Sequence, residues 1–434
     1  MGRIIGHCLC LIILFFVNCL LLMKTHIFAI IVAAILFGAC SGPDRSLEIS
    51  VKNPLDLERV DEMIEISMDQ VASQLSLEDA DQVFILNEQG TEVPYQITYD
   101  KKLIFPASVA PLAESKYVVK VGEPTNVPVK VCGKVYPERM DDLAWENDLV
   151  GFRAYGPTLQ SKGERGFGYD LFVKRGTTEP VLEKMYAMET DQVTWAKINE
   201  LKKTDPAAAE ELRRSITYHV DKGYGMDCYA VGPTLGGGVA ALLENDEIVY
   251  PWCYKDLEIL DNGPLRFTAK LVFTPLSVKG KDNVIETRVI TLDLNSHLNR
   301  TAVSYSQLEE SMPIVTGIVM HNTDGAVVTD AEKGYMTYVD PTTGPDQGRI
   351  FMGAAFPNEV KEAKTSLFSD AEKKQRNNAC GHVLAVSEYN PETEYVYYWG
   401  FAWDRADIQT PEAWNAYMVN FAQKVRNPLT VSVK

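Results

Sequence analysis

The stretch that decides the fold begins Leu265-Arg266-Phe267-Thr268-Ala269-Lys270-Leu271-Val272-Phe273 and runs on to Tyr305. Leu265, Phe267, Ala269, Leu271 and Phe273 fall on one face of an extended chain and Arg266, Thr268 and Lys270 on the other, the period-two alternation of a half-buried strand. Asp282-Asn283 turns the chain into Val284 to Leu292, and Asn295-Ser296-His297 turns it again into Leu298 to Tyr305. Three long strands joined by polar turns predict an antiparallel meander within a large sheet. Outward from it, Ile314 to His321, Arg349 to Phe356, His382 to Tyr389 and Glu394 to Trp403 read as further strands.

Before the meander, residues 46–125 read as a small β-sandwich domain of the immunoglobulin kind. Leu47 to Val51 alternates apolar and polar, Val93 to Tyr99 places Val93, Tyr95, Ile97 and Tyr99 on one face, and Tyr117 to Val121 is rich in β-formers. Pro94 cannot donate to a ladder and marks an edge or a strand start. Gly122 to Pro137 is the expected linker, and residues 138–434 form the large β-sandwich domain, the fold class being mainly β. Two helical pieces interrupt it. Residues 189–214 are charged and alanine-rich, with Asp205-Pro206 as a restart signal. Thr410-Pro411-Glu412 opens a C-terminal helix with Trp414, Tyr417, Met418, Phe421 and Val425 on one stripe.

The first forty residues hold two apolar runs, Gly6 to Leu22 and Ile27 to Phe37, around Met23-Lys24-Thr25-His26. The second run has a basic start, an apolar middle and Phe37-Gly38-Ala39-Cys40 at its end, the layout of a bacterial lipoprotein signal peptide with Met23 as its start. Each run is short for a membrane span, and the polar link leaves little room for a hairpin. The expectation is an exported protein, lipid-anchored through Cys40 and held in the periplasm or on the outer membrane of a Gram-negative bacterium.

The chain has 42 basic and 59 acidic side chains. Removing Arg3 and Lys24 with the leader leaves 40 against 59, a net of −19. Such a charge excludes nucleic acid and anionic membrane surfaces as general partners, and lets an anionic substrate bind only at a locally basic pocket. Beyond the leader stand Cys132, Cys228, Cys253 and Cys380, none at metal-ligand spacing; isolated thiols and one disulfide are both open. Gly236-Gly237-Gly238 lacks the lysine of a phosphate loop and reads as a tight bend.

The block from Trp145 onward resembles a family of uncharacterised secreted proteins from glycan-degrading Bacteroidetes, known only as a domain of unknown function. The resemblance rests on Trp145-Glu146-Asn147-Asp148, Phe152 to Pro157, Tyr218 to Tyr229, Asp261 to Arg266, Leu298-Asn299-Arg300, Gly317 to His321 and Tyr398-Trp399-Gly400. It implies the large sandwich fold shared by aldose mutarotases and polysaccharide lyases, and work on uronic-acid glycans such as pectin; the small N-terminal domain lies outside it.

Four histidines stand beyond the leader: His219, His297, His321 and His382. If Thr217 to Asp221 is a strand, His219 and Asp221 share a face, and a carboxylate beside an imidazole holds its tautomer and raises its basicity. His321 closes an apolar strand where a loop begins, whereas His297 and His382 read as surface or structural. The candidate catalytic set is His219, Asp221, His321 and Arg153, with His219 moving a proton and His321 or Arg153 countering charge. Trp145, Glu146 and Tyr229 are the candidate substrate-binding residues, since aromatic faces stack on sugars and arginine forks hold carboxylates. The loop from Asp221 to Asp227 could hold calcium, though it has the ligand density of an ordinary glycine turn. A lyase or hydrolase on a uronic-acid glycan leads; a sugar epimerase or mutarotase and a non-catalytic glycan-binding protein are the rivals.

Overall fold

The computed structural model describes residues 45–434. The leader and Cys40 lie outside the described residues.

The meander forms as its alternation demands. Strands Arg266–Phe273, Lys281–Asp293 and Leu298–Ser306 pair antiparallel in that order, with Arg266 opposite Asp293 and Ile285 opposite Ser306. Phe267, Ala269 and Leu271 are fully buried. Leu298–Ser306 then pairs with Tyr395–Trp403, and the sheet runs on through Ile350–Ala355 and Tyr335–Asp340 to a total of nine strands.

Two five-stranded sheets share a core with it. One is built from Cys132–Tyr136, Asp142–Glu146, Val150–Ala154, Tyr169–Lys174 and Gly225–Asp227; the other contains Val239–Glu244, Met312–Met320 and Gly381–Tyr389. The core gathers Trp145, Phe152, Tyr169, Leu271, Val315, Val383 and Trp399. Tyr169 stacks on Trp399 at 4.2 Å between ring centroids, and Phe152 meets Trp399 edge-on at 5.0 Å. Burial of each large apolar side chain contributes roughly 1.5–3 kcal/mol. The polar edges of the rings are satisfied: Trp399 Nε1 donates to Thr301 Oγ1 at 2.8 Å. Gly236 to Gly238 is the expected tight bend, with φ of 54° at Gly236, where a Cβ would stand 2.7 Å from the Tyr169 carbonyl oxygen.

The small sandwich has its own core of Leu47, Ile49, Val51, Ile85, Phe105 and Val119 among others. Its sequence boundary needs an addition. The last strand of the chain, Thr430–Val433, returns to pair with Ser46–Lys52, Ile49 facing Val433 and Lys52 facing Thr430. Residues Leu47–Lys434 accordingly form one compact unit. The single strand expected over Val93 to Tyr99 is instead two short ones in different sheets. Glu92–Val93 pairs with Val83–Asn87, and Gln96–Ile97 pairs with Lys102–Val109. Pro94 breaks the ladder between them, which leaves Ile97 and Tyr99 exposed rather than on a buried face.

The helical insertion begins earlier than expected and has three parts: Leu182–Glu189, Gln192–Thr204 and Pro206–Ile216. Asp205 caps the third by accepting from Ala208 N at 3.0 Å, with Pro206 at its first position. The C-terminal helix Pro411–Arg426 is capped by Thr410 and buries Trp414, Met418 and Ala422 against Phe351, Ala355 and Ala402. All four described cysteines are free thiols.

Candidate functional site

Strand pairing builds the centre of the site. Arg153 lies directly across from Asp170, and Asp227 across from Phe172, so the period of two puts Arg153, Asp170, Phe172 and Asp227 on one face of this five-stranded sheet, opposite the core-facing Phe152. Asp142 joins them, two positions from the Ala144 that faces Arg153. Arg153 is 3% exposed and Asp142, Asp170 and Asp227 no more than 1%. Its Nε donates to Asp170 Oδ2 at 3.0 Å, Nη2 to Asp227 Oδ2 at 2.8 Å and Nη1 to the Tyr218 hydroxyl at 2.9 Å. Tyr155 donates its hydroxyl proton to Asp170 Oδ2 at 2.8 Å. A cation at this depth persists only because carboxylates surround it.

His219 stands over this cluster with more than half of its side chain exposed. Its Nδ1 lies 3.6 Å from Asp227 Oδ2 and 3.2 Å from the Asp227 carbonyl oxygen. Burial and the neighbouring Asp170 charge push the Asp227 carboxyl up to about 6, against the pull of Arg153 and His219. Burial likewise raises Asp142 to about 6, against Arg153 and Arg139.

A second imidazole pair lies nearby. His321 Nδ1 is 2.6 Å from Asp340 Oδ2, at the ends of strands Met312–Met320 and Tyr335–Asp340. Burial would lower the His321 value, but the hydrogen bond and charge of Asp340, together with the Ala230 carbonyl, raise it above the ordinary one. Tyr229 sits edge-on to His321 at 5.4 Å, and its buried hydroxyl has no hydrogen-bond partner among the described residues. Its phenol is held well above its ordinary value by burial first and then by Asp340, Tyr338 and Asp170. Tyr229 follows Asp227 by two residues, so the chain itself links the two clusters.

Several sequence assignments change. Thr217 to Asp221 is a turn after the third insertion helix and not a strand, so Asp221 does not hold His219. Asp221 pairs with Arg175 at 2.5 Å and accepts from Gly223 N and Gly225 N. Both carboxylates needed for calcium in the loop from Asp221 to Asp227 are thereby engaged, and among the described residues no three His, Cys, Asp or Glu side chains converge on a metal position. Arg153 is consumed by its carboxylates and positions Asp227; it cannot reach a substrate. Trp145 is fully buried, stacked on Phe152 at 5.7 Å and bonded through Nε1 to Asn299, so it belongs to the core. Glu146 is bonded to Lys174 Nζ at 2.6 Å and accepts from Val181 N and Leu182 N, fixing the start of the insertion. His297 and His382 are structural: His297 bridges the Phe401 carbonyl and Asp407, and His382 accepts from Leu235 N with its value lowered to about 3 by burial and by Arg376.

The partners missing from the sequence reading are Asp227, Asp170, Asp340 and Tyr155. Each is distant in sequence from the group it serves, except Asp227, which stands eight residues after His219 on the first regular strand beyond it.

A mainly β protein with a buried arginine-carboxylate cluster beneath an open histidine is the class this geometry defines. Residues 51–431 match the domain of unknown function DUF4861, and the chain belongs to that family. The match includes the small N-terminal sandwich, which the resemblance from Trp145 onward had left outside. An uncharacterised protein of Formosa agariphila is 26% identical over 416 residues, covering 93% of this chain and 98% of its own. Among solved structures, a protein in glycosyl hydrolase family 38 from Enterococcus faecalis aligns with a TM-score of 0.46 at 9% identity, over 90% of this chain and 48% of that one. An alpha-mannosidase from Enterococcus faecalis V583 aligns at 0.45 and 8%, over 91% and 46%. The chain spans about half the length of both, and TM-scores this low carry no weight for function.

Proposed function

We propose that this protein is a carbohydrate-active enzyme, a lyase or hydrolase on a uronic-acid-containing glycan, in which His219 carries the proton. The observation that supports this reading is an exposed imidazole beside a buried carboxylate: His219 Nδ1 lies 3.2 Å from the Asp227 carbonyl oxygen and 3.6 Å from Asp227 Oδ2, which Arg153 pins. In a lyase, Nε2 takes the proton beside the uronate carboxyl, the carbon electrons form the new double bond, and the glycosidic oxygen leaves with a proton from solvent water. His321, hydrogen-bonded through Nδ1 to Asp340 and holding its proton more tightly than an ordinary imidazole, supplies positive charge when protonated toward the carboxylate as it becomes enolate-like. A mutarotase or epimerase would use the same acid and base around a ring, and a non-catalytic glycan-binding protein would need neither.

The test is incubation with a panel of pectic and other uronic-acid polysaccharides, with products separated by size and read for the absorbance of an unsaturated sugar. Unsaturated products identify a lyase and saturated ones a hydrolase; intact polymer throughout contradicts the proposal.

The reading also takes the protein to be exported and anchored through a lipidated Cys40, supported by the run from Met23 to Cys40. Wild-type protein would enter the detergent phase on phase separation and Cys40→Ala protein the aqueous phase. Aqueous partitioning of both would rule the anchor out.

A further inference from the structure

Close to Tyr155 but outside the histidine pairs lies a group of residues at the margin of the core that the proposed proton transfer does not use. Phe167, Tyr250 and Trp252 are each only half-buried, with Phe167 5.3 Å from Tyr250 and 6.2 Å from Trp252 between ring centroids. Two arginines flank them. Arg165, exposed, lies 5.6 Å over the Trp252 ring, and Arg376 lies 4.5 Å over the Tyr250 ring. Arg376 donates through Nη1 to the Pro233 carbonyl, while its Nε is buried and finds no hydrogen-bond partner among the described residues.

In an acidic protein a guanidinium normally finds a carboxylate, yet neither Arg165 nor Arg376 makes an ion pair among the described residues. Glu372, the carboxylate that Arg376 feels, is committed to capping its own helix through Ser369 N and Oγ. Glu164 is exposed beside Arg165. A cavity of 270 Å³ adjoins the group, lined by Arg165 and Glu164 on one loop and by Pro233, Gln375 and Asn377 beside Arg376, while the rings of Phe167, Tyr250 and Trp252 and Arg376 itself stand outside its lining. The loop carrying Arg165 is pinned against the site, because Gly166 packs so closely on the Tyr155 ring that a Cβ there would stand 2.4 Å from it. Tyr155 in turn bonds Asp170 of the arginine-carboxylate cluster.

We propose that Arg165, Arg376 and the faces of Trp252 and Tyr250 form a subsite for an acidic sugar ring, the guanidinium groups taking its anionic substituent and the aromatic faces its apolar side. Planar guanidinium forks match carboxylate and sulfate oxygens, and aromatic rings cover the C–H face of a pyranose. This is the locally basic pocket that a chain of such negative charge needs in order to hold an anionic glycan. As a substrate subsite the assignment rests on the proposed activity; as a binding site it is measurable without turnover.

The experiment is calorimetric titration of the full protein with a galacturonic acid trisaccharide, its carboxyl-reduced neutral counterpart and a sulfated neutral trisaccharide. The acidic trisaccharide should bind at least about tenfold tighter than the reduced one, and Arg165→Gln and Arg376→Gln should each remove about tenfold of that preference, while Trp252→Ala weakens acidic and neutral sugars alike. Arg165 is exposed, so its variant should keep the wild-type melting temperature and remains informative even if Arg376→Gln unfolds. A sulfated sugar that binds through Arg165 as the uronate does would make the subsite general for acidic sugars. Equal affinity for the acidic and reduced trisaccharides, or acidic binding unchanged in Arg165→Gln, overturns the proposal. Arg165-dependent binding without conversion of any uronate polymer would keep the subsite and refute the enzyme reading.

Discussion

His219 Nδ1 stands 3.6 Å from Asp227 Oδ2, the carboxylate oxygen that Arg153 holds at 2.8 Å. The Asp227 carbonyl oxygen holds Nδ1 at 3.2 Å, the carboxylate that faces the imidazole as counter-charge is the one on the strand after the turn, and Asp221, two residues away in sequence, serves Arg175 instead. Asp227→Asn is expected to lower kcat by roughly a hundredfold or more if His219 acts as general base, since the amide cannot stabilise the imidazolium. Asp221→Asn should leave kcat within a few-fold. Steady-state rates of the two variants on the glycan identified by the panel decide the matter, and the reverse order would return the imidazole partner to Asp221.

Arg153 is the anchor of the cluster, and its removal leaves Asp170 and Asp227 buried without a counter-charge. Breaking a buried pair in this way costs about 3–5 kcal/mol. Denaturant unfolding of Arg153→Met should show a loss of that order, well beyond the cost of a solvated residue at a strand end. A loss under about 1 kcal/mol, the range of surface substitutions and exposed pairs, would mean that the carboxylates are more hydrated than their burial implies.

The folded His321 value lies above the ordinary 6.5. The folded protein therefore binds this proton more tightly than the unfolded chain, so the stabilisation is fully present below about pH 6.5 and is lost as pH rises through the raised value. Asp340→Asn should flatten this part of the stability profile, and the His321 ring signals in an NMR titration should move to lower pH. A wild-type His321 that titrates below 6.5 would contradict the Asp340 pairing.

The chain end completes the small sandwich. Truncation after Asn427 removes Leu429, Val431 and Val433 from its core edge and the ladder to Ser46–Lys52. The truncated protein should show a lowered melting temperature, with protease sensitivity appearing first among residues 46–125. Cys132–Tyr136, within the expected linker, is a strand of the large domain, so cleavage of the full chain belongs between Gly122 and Val131; it should leave the fragments associated on gel filtration, because Thr430–Val433 still pairs with the small domain. Release of a free N-terminal fragment would contradict that role.

Much of the fold was legible because it is written in local alternation: Phe267, Ala269 and Leu271 face inward for the reason their spacing gives, and Thr410-Pro411 starts the last helix. What stayed hidden was non-local. No spacing rule links Arg153 to Asp170 or His321 to Asp340, which meet only after strands pair. The return of Thr430–Val433 to Ser46–Lys52 joins opposite ends of the chain. Trp145 and Glu146 misled because aromatic and acidic residues serve cores and helix starts as readily as sugar sites. His219 was found by its residue type, while its partner was misassigned because a strand period was applied to residues that form a turn.

The central claim is that His219 moves the proton. The most direct measurement is kcat of His219→Ala beside its melting temperature, on the uronate glycan that the panel identifies. The side chain is exposed and contributes little to the core, so its loss should cost no more than about 1 kcal/mol while kcat falls by roughly a hundredfold or more. A His219→Ala protein that melts as wild type does and keeps full activity would contradict the account.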